Sequence, residues 1–92
     1  MRYLIVIERG KRNYSAYVPD VPGCVATARS LDGIMKDMRE ALAFHFEGMA
    51  LHGETIPQPT ESVFAQVASE MAPTDLIAFV ELQPPVRVQE AV

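Results

Sequence analysis

Few residues of this sequence are of types that act as nucleophiles or metal ligands. His45 and His52 are the 2 histidines, and on one helix they would stand two turns, roughly 10 Å, apart, which is too far to share a metal ion. Cys24 is the single cysteine and has no histidine near it in the sequence, so we expect it to behave as a small apolar core residue. We predict no metal site and no cofactor-binding residue.

The acidic residues do not form a catalytic pair either. Glu8, Asp20 and Asp32 stand near the ends of the predicted strands and helix, where charged side chains are usually solvated. The sequence also lacks a glycine-rich phosphate-binding loop and a nucleophile elbow. We therefore predict that the chain is not an enzyme and has no catalytic residue.

Charge is distributed unevenly along the 92 residues. Residues 1–31 hold five basic and two acidic side chains, whereas residues 32–92 hold three basic and ten acidic ones. A basic protein would prefer the acidic part of the chain. Glu40, Glu47, Glu54 and Glu61 recur every seven residues, and we predict that the first three contact such a partner. A solvated acidic face is the alternative interpretation.

Three strands are predicted before the first helix. Residues 2–8 have five consecutive apolar residues at their centre, which is typical of a strand covered on both faces. Pro22 and Gly23 suit the second and third positions of a type II turn, because glycine supplies the positive φ that the third position requires. The second and third strands are predicted at residues 14–18 and 24–29.

A long helix follows, because from Ser30 onward the apolar residues recur every three or four positions. Ser30 is a good N-cap, and Gly53 can adopt the left-handed conformation that ends a helix, so we predict about 22 helical residues. We assign the methionines of this segment to the core. The predicted apolar stripe comprises Leu31, Met35, Met38, Leu42, His45, Phe46 and Met49.

Two shorter elements are predicted after the long helix. Two prolines make residues 54–60 a loop. Thr60 can cap a short second helix within residues 61–72, which Pro73 would end. Residues 75–82 are apolar on both faces and are predicted to form a fourth strand.

These elements, in the order β-β-β-α-(short α)-β, predict a single α+β domain at residues 1–83. Placing strand four beside strand one gives a four-stranded sheet of order 3-2-1-4 with the long helix on one face. We expect strand four to run parallel to strand one, which makes the sheet mixed. The side chains of strand one alternate between its two faces, with Tyr3, Ile5 and Ile7 on one and Leu4 and Val6 on the other.

The uncovered face of this sheet needs either the short helix or another chain to cover it, and the apolar edge formed by strand four needs to be paired or covered. We therefore expect a homodimer or a homotetramer. Residues 84–92 are expected to form a short tail, with no separate DNA-binding domain. No apolar run reaches the length of a membrane span, and the N-terminus lacks the features of a signal peptide, so we expect a cytoplasmic protein without a membrane segment.

One segment of the chain resembles a known family signature. The sequence from Tyr14 to Thr27, YSAYVPDVPGCVAT, resembles the hallmark of the HicB-like antitoxin family. The similarity continues at Glu40-Ala41 and through residues 53–59, and so spans about residues 2–60. Gly33-Ile34 stand where the family usually has a Glu-Ala pair.

The resemblance implies a partial ribonuclease-H-like fold without that fold's catalytic carboxylates. It also implies a function, namely binding and neutralising a small basic toxin of the HicA type, an mRNA-cleaving ribonuclease. Many family members continue into a DNA-binding domain, and for this chain we do not expect direct DNA binding. The motif residues are implied to shape the turn rather than to contact the toxin: Pro19, Asp20, Pro22 and Gly23.

Two other functions stay open at this point. One is a stand-alone oligomeric protein-binding module of the same fold, without a toxin partner. The weaker one is nucleic-acid binding through the four basic residues Arg9, Lys11, Arg12 and Arg29. Four cations make few phosphate contacts, and the acidic remainder of the chain opposes them.

Overall fold

The computed structural model describes residues 1–83, and the predicted tail at residues 84–92 lies outside them. Four strands and two helices follow one another in the predicted order. Among the described residues, no helix combines the length and apolarity that a membrane crossing needs. The elements are β1 (Arg2–Arg9), β2 (Tyr14–Tyr17), β3 (Val25–Ala28), α1 (Leu31–Leu51), α2 (Val63–Ala68) and β4 (Leu76–Glu81).

The sheet has the predicted strand order, β3-β2-β1-β4, with β2 and β1 in the centre. All three strand pairs are antiparallel. In the pair of β1 with β4, Arg2 lies opposite Glu81 and Ile7 lies opposite Leu76. The prediction of a mixed sheet, with strand four parallel to strand one, was therefore wrong.

The direction of β4 follows from a second crossing of the sheet. Helix α1 brings the chain back to the end at which β1 begins, where the Tyr3 hydroxyl donates a hydrogen bond to the Pro57 carbonyl oxygen at 2.5 Å. The chain then returns along the opposite face, where α2 packs on β1, and β4 starts beside Ile7. The sequence prediction counted only the long helix as a crossing, whereas the segment that carries the 6-residue helix α2 is a second one.

β1 is buried on both of its faces, as predicted. On one face the Tyr3 ring lies 5.3 Å from the Phe46 ring of α1, between ring centroids, within the larger core cluster. On the other face Leu4 and Val6 pack with the α2 residue Val67. Each fully buried side chain of this size stabilises the fold by about 1.5–3 kcal/mol, so this strand holds the two layers together.

The buried stripe of α1 differs in part from the predicted one. Leu31 is 42% exposed, because helical side chains tilt toward the N-terminus and the first residue of a helix points past its start. Ile34, which the predicted stripe omitted, is fully buried instead. Met35 and Met49 pack against the core as partly buried residues. The fully buried residues of α1 recur every fourth position, at Ile34, Met38, Leu42 and Phe46.

Both ends of α1 are capped as the sequence indicated. The Ser30 hydroxyl accepts a hydrogen bond from the Gly33 amide at 2.9 Å. At the other end Gly53 has φ of +70°, and the Glu54 amide donates to the Met49 carbonyl oxygen at 2.8 Å. A left-handed glycine followed by this backward hydrogen bond is the Schellman ending of a helix.

Replacing Ser30 with alanine removes the capping acceptor and should lower the free energy of unfolding by about 1 kcal/mol. Ser62 stands at the same position before α2, but its side chain makes no capping hydrogen bond. Ser62→Ala is therefore the matched control and should change the unfolding free energy by less than about 0.5 kcal/mol. Urea unfolding followed by circular dichroism measures the unfolding free energy of both variants. An equal decrease in the two would contradict the role assigned to the Ser30 hydroxyl.

Candidate partner-binding surface

Two consecutive β-turns connect β2 to β3. In the first, the Val21 amide donates to the Val18 carbonyl oxygen at 3.0 Å, and in the second the Cys24 amide donates to the Val21 carbonyl oxygen at 3.2 Å. Pro19 and Pro22 fill the second positions of these turns. Gly23 fills the third position of the second turn with φ of +88°, a conformation that a side chain would strain. The structure thus places these motif residues in the turn itself.

Asp20 joins this double turn to the loop between the two helices. Its Oδ2 accepts a hydrogen bond from the Thr60 amide at 2.9 Å, across 40 residues of sequence. Tyr3 holds the same loop through the Pro57 carbonyl oxygen. Burial raises the pKa of the Tyr3 phenol, and the Asp20 carboxylate raises it further, so the hydroxyl keeps the proton that it donates.

Cys24 and His52, the residues considered above as a nucleophile and a metal ligand, make contacts that are structural rather than catalytic. Cys24 is buried with its Sγ 4.0 Å from the Met38 sulfur, and burial raises the pKa of its thiol, which keeps the sulfur protonated and poorly nucleophilic at neutral pH. The His52 ring, through Nδ1, lies 2.7 Å from the Gly48 carbonyl oxygen at the end of α1. Within residues 1–83, no group of three or more His, Cys, Asp or Glu is arranged to hold a metal ion.

The three glutamates of the predicted contact are all exposed. Glu40 and Glu47 lie on the same side of α1, because seven residues make almost two full turns, and Glu54 lies just past the glycine that ends the helix. In the described part of the chain, the one ion pair joins the amino group of Met1 to Glu81. None of these three carboxylates therefore makes an ion pair there, although Lys36 stands one turn before Glu40 on α1.

The acidic residues near the end of α1 oppose its dipole. A helix carries partial negative charge at its C-terminus, where Lys and Arg are favourable and Asp and Glu unfavourable by about 0.3–1 kcal/mol each. The last turn of α1 has no basic residue, whereas Glu47 lies close before it and Glu54 close after it. Residues 40–83 contain seven acidic side chains and no Lys or Arg. This arrangement costs stability and concentrates negative potential at one end of the helix.

Two apolar residues that the sequence prediction did not single out stand among these glutamates. Phe44 is 78% exposed and Leu51 is 85% exposed, and they are the two most exposed of the large apolar side chains in residues 1–83. The prediction passed over them because they fall outside the stripe that faces the core. The sequence did contain a signal for this pair, since the two residues are seven positions apart and each lies four positions after a glutamate.

A second apolar patch lies on the face of the sheet that carries α2. The Arg2 guanidinium lies over the Phe79 ring, 4.1 Å from its centroid. A shallow cavity of about 340 Å³ opens beside this pair, with Leu4 and Val63 in its lining. Phe64 also borders it and is 56% exposed. This patch and the outer side of α1 are on opposite faces of the sheet.

Comparison with known proteins assigns the chain to a family. The family model described as "HicB_like antitoxin of bacterial toxin-antitoxin system" matches residues 3–90. The chain belongs to the HicB-like antitoxins. This confirms the resemblance seen in the residues of the β2–β3 turn, and it places the chain among the antitoxins of bacterial toxin–antitoxin systems.

Solved HicB structures share the fold of this HicB-like chain. The N-terminal domain of the Burkholderia pseudomallei antitoxin HicB superposes with a TM-score of 0.77 at 26% identity, covering 90% of this chain and 99% of that one. A chain of the HicA3 and HicB3 toxin–antitoxin complex superposes with a TM-score of 0.72 at 27% identity, covering 91% of this chain and 100% of that one.

A curated relative is a 14.9 kDa protein of Haemophilus phage HP1, which is 41% identical to this HicB-like chain over 58 residues. The match includes 63% of this chain and 44% of the phage protein. The chain therefore spans less than half the length of that relative.

Replacing Asp20 with alanine removes the acceptor of the Thr60 amide, and we expect it to lower the unfolding free energy by about 1–2 kcal/mol. Hydrogen exchange at the Thr60 amide, measured by NMR, should become faster. Asp20→Asn keeps a side-chain oxygen at the same place and should restore most of the protection. Unchanged Thr60 exchange in Asp20→Ala would contradict the link between turn and loop.

Replacing Glu47 with lysine should increase the unfolding free energy by about 0.3–1 kcal/mol at low salt, because a cation suits the C-terminal end of α1. The same change at Glu40, farther from that end, should give no such gain, since it brings a third cation beside Lys36 and Arg39. Urea unfolding at low and high ionic strength compares the two variants. A loss of stability in Glu47→Lys would contradict the dipole argument.

Proposed function

We propose that this HicB-like chain binds and neutralises a HicA-type toxin, a small basic protein that cleaves mRNA. The observation that carries the proposal is the family match together with the similarity to a chain of the HicA3 and HicB3 toxin–antitoxin complex. The chain acts by covering the toxin, without catalysis and without a cofactor, in the cytoplasm where mRNA is cleaved.

The charge distribution supports a basic partner. Glu40, Glu47 and Glu54 are exposed and make no ion pair within residues 1–83, and we propose that they contact the toxin. Opposite charges attract partners before contact and raise the association rate. The same negative potential opposes nucleic acid, so the proposal includes no operator contact by the domain at residues 1–83.

A second part of the proposal concerns self-association as a homodimer or homotetramer. β3 and β4 are the two edges of the sheet, and edge strands without a cover are normally paired or protected. Phe64 and Phe79 add exposed apolar surface on the face that carries α2. The same patch favours the alternative function, a stand-alone oligomeric binding module with no toxin.

A search of the genes beside this chain for a small basic HicA-type protein, followed by co-expression of the two, tests the function directly. We expect a stable complex in size-exclusion chromatography with light scattering, which also gives the stoichiometry, and restored growth of cells that express the toxin. A neighbour that is neither toxic nor bound by this chain would contradict the proposal and favour the stand-alone module.

Reversing the charge of Glu40 and Glu47 together, as a double change to lysine, should slow association with the toxin about tenfold at low salt and by less at high salt. A double change of Glu61 and Glu70 to lysine alters the net charge equally and lies away from α1, so it should slow association much less. Stopped-flow or surface-based kinetics give both rates. Identical rates for the two variants would remove the helix glutamates from the contact.

A further inference from the structure

The solvent side of α1 carries a stripe of alternating character, which we name the outer stripe: Glu40, Phe44, Glu47 and Leu51. Its members are spaced by four, three and four residues, which keeps them on one side of a helix. At about 100° per residue they lie between about 140° and 180° from the centre of the buried stripe. Nothing in the packing of the sheet requires apolar residues there.

Phe44 and Leu51 give the outer stripe two apolar anchors. They are 78% and 85% exposed, and their seven-residue separation places them about 10.5 Å apart along the helix. The exposed Phe79 of the other face, in contrast, is partly covered by the Arg2 guanidinium. Apolar anchors seven residues apart on one side of a helix are the pattern by which a helix docks into an apolar groove of a partner.

The charges of the outer stripe decide what covers it. Glu40 and Glu47 alternate with the anchors, and from residue 40 to residue 83 the chain has no Lys or Arg. A second copy docked on this stripe by two-fold symmetry would bring the glutamates of both copies into one interface with no Lys or Arg from residues 40–83 to pair with them, and uncompensated like charges in an interface are unfavourable. Nucleic acid and anionic membranes are repelled for the same reason.

We infer that the outer stripe is the docking site for the toxin, and that Phe44 and Leu51 insert into apolar depressions of its cationic surface. The inference rests on the proposed function and names the surface through which that function acts. The glutamates then mainly set the association rate, because they act before contact. The two anchors mainly set the dissociation rate, because they are buried only in the complex.

The experiment measures binding of the full chain to a purified HicA-type toxin, by surface-based kinetics, for Phe44→Gln and Leu51→Gln. Glutamine is a good helix former, and both positions are exposed, so thermal unfolding of the variants should match that of the unchanged chain. Phe64→Gln is the matched control for an exposed phenylalanine on the other face. We expect each outer-stripe variant to weaken the dissociation constant at least tenfold through faster dissociation, and Phe64→Gln to leave it within about threefold.

Three other outcomes would overturn the inference, and they differ from one another. If the unchanged chain binds the toxin and the outer-stripe variants bind equally well, the docking site is elsewhere and the proposed function stands. If the variants lose self-association in light scattering and keep toxin affinity, the stripe is a contact between copies of this chain. If the unchanged chain does not bind the toxin, the proposed function fails together with its docking site.

Discussion

The burial of β1 on both faces is the constraint on which the rest of the structure depends. A strand with apolar side chains in both directions needs two covering layers, and residues 1–83 contain one long helix. α1 covers one face, and the short α2 with its flanking loop covers the other. The chain must therefore cross the sheet twice, and β4 returns antiparallel to β1. Asp20 and Tyr3 fasten the loop between these crossings.

Because α1 covers one face of β1, one side of this helix is needed for folding and the opposite side is left for binding. The core needs one stripe of the helix, from Ile34 to Phe46, and leaves the opposite side without a structural task. That side carries exposed apolar residues and glutamates that the helix dipole disfavours. Residues that reduce stability and make no contacts within the fold are expected where binding, rather than folding, determines the sequence. A cation at position 47 should therefore affect folding and toxin binding in opposite directions.

Much of the fold could be predicted from local signals. The apolar run of β1, the Ser30 cap, the Gly53 ending and the proline-glycine turn each depend on a few adjacent residues and on well-defined backbone physics. The direction of β4 could not be predicted in this way, because it depends on which face α2 covers, and periodicity does not report that. The burial of Ile34 in place of Leu31 likewise depends on where α1 begins over the sheet.

The candidate site was only partly predictable. Seven-residue spacing brought Glu40 and Glu47 to attention, and both lie exposed on one side of α1. Phe44 and Leu51 escaped notice because they fall outside the predicted core stripe and single exposed apolar residues are common on protein surfaces. The structure shows that both side chains are exposed, and this exposure is what makes the outer stripe a candidate binding surface.

NMR titration of the isotope-labelled chain with unlabelled toxin tests the central claim most directly, namely that one side of α1 folds the protein and the other binds the partner. The account predicts that the largest chemical-shift changes fall on the side chains of Phe44 and Leu51 and on the neighbouring glutamates, while Ile34 and Phe46 change little. Changes concentrated on Tyr17, Val25 and Phe79, on the opposite face of the sheet, would contradict it.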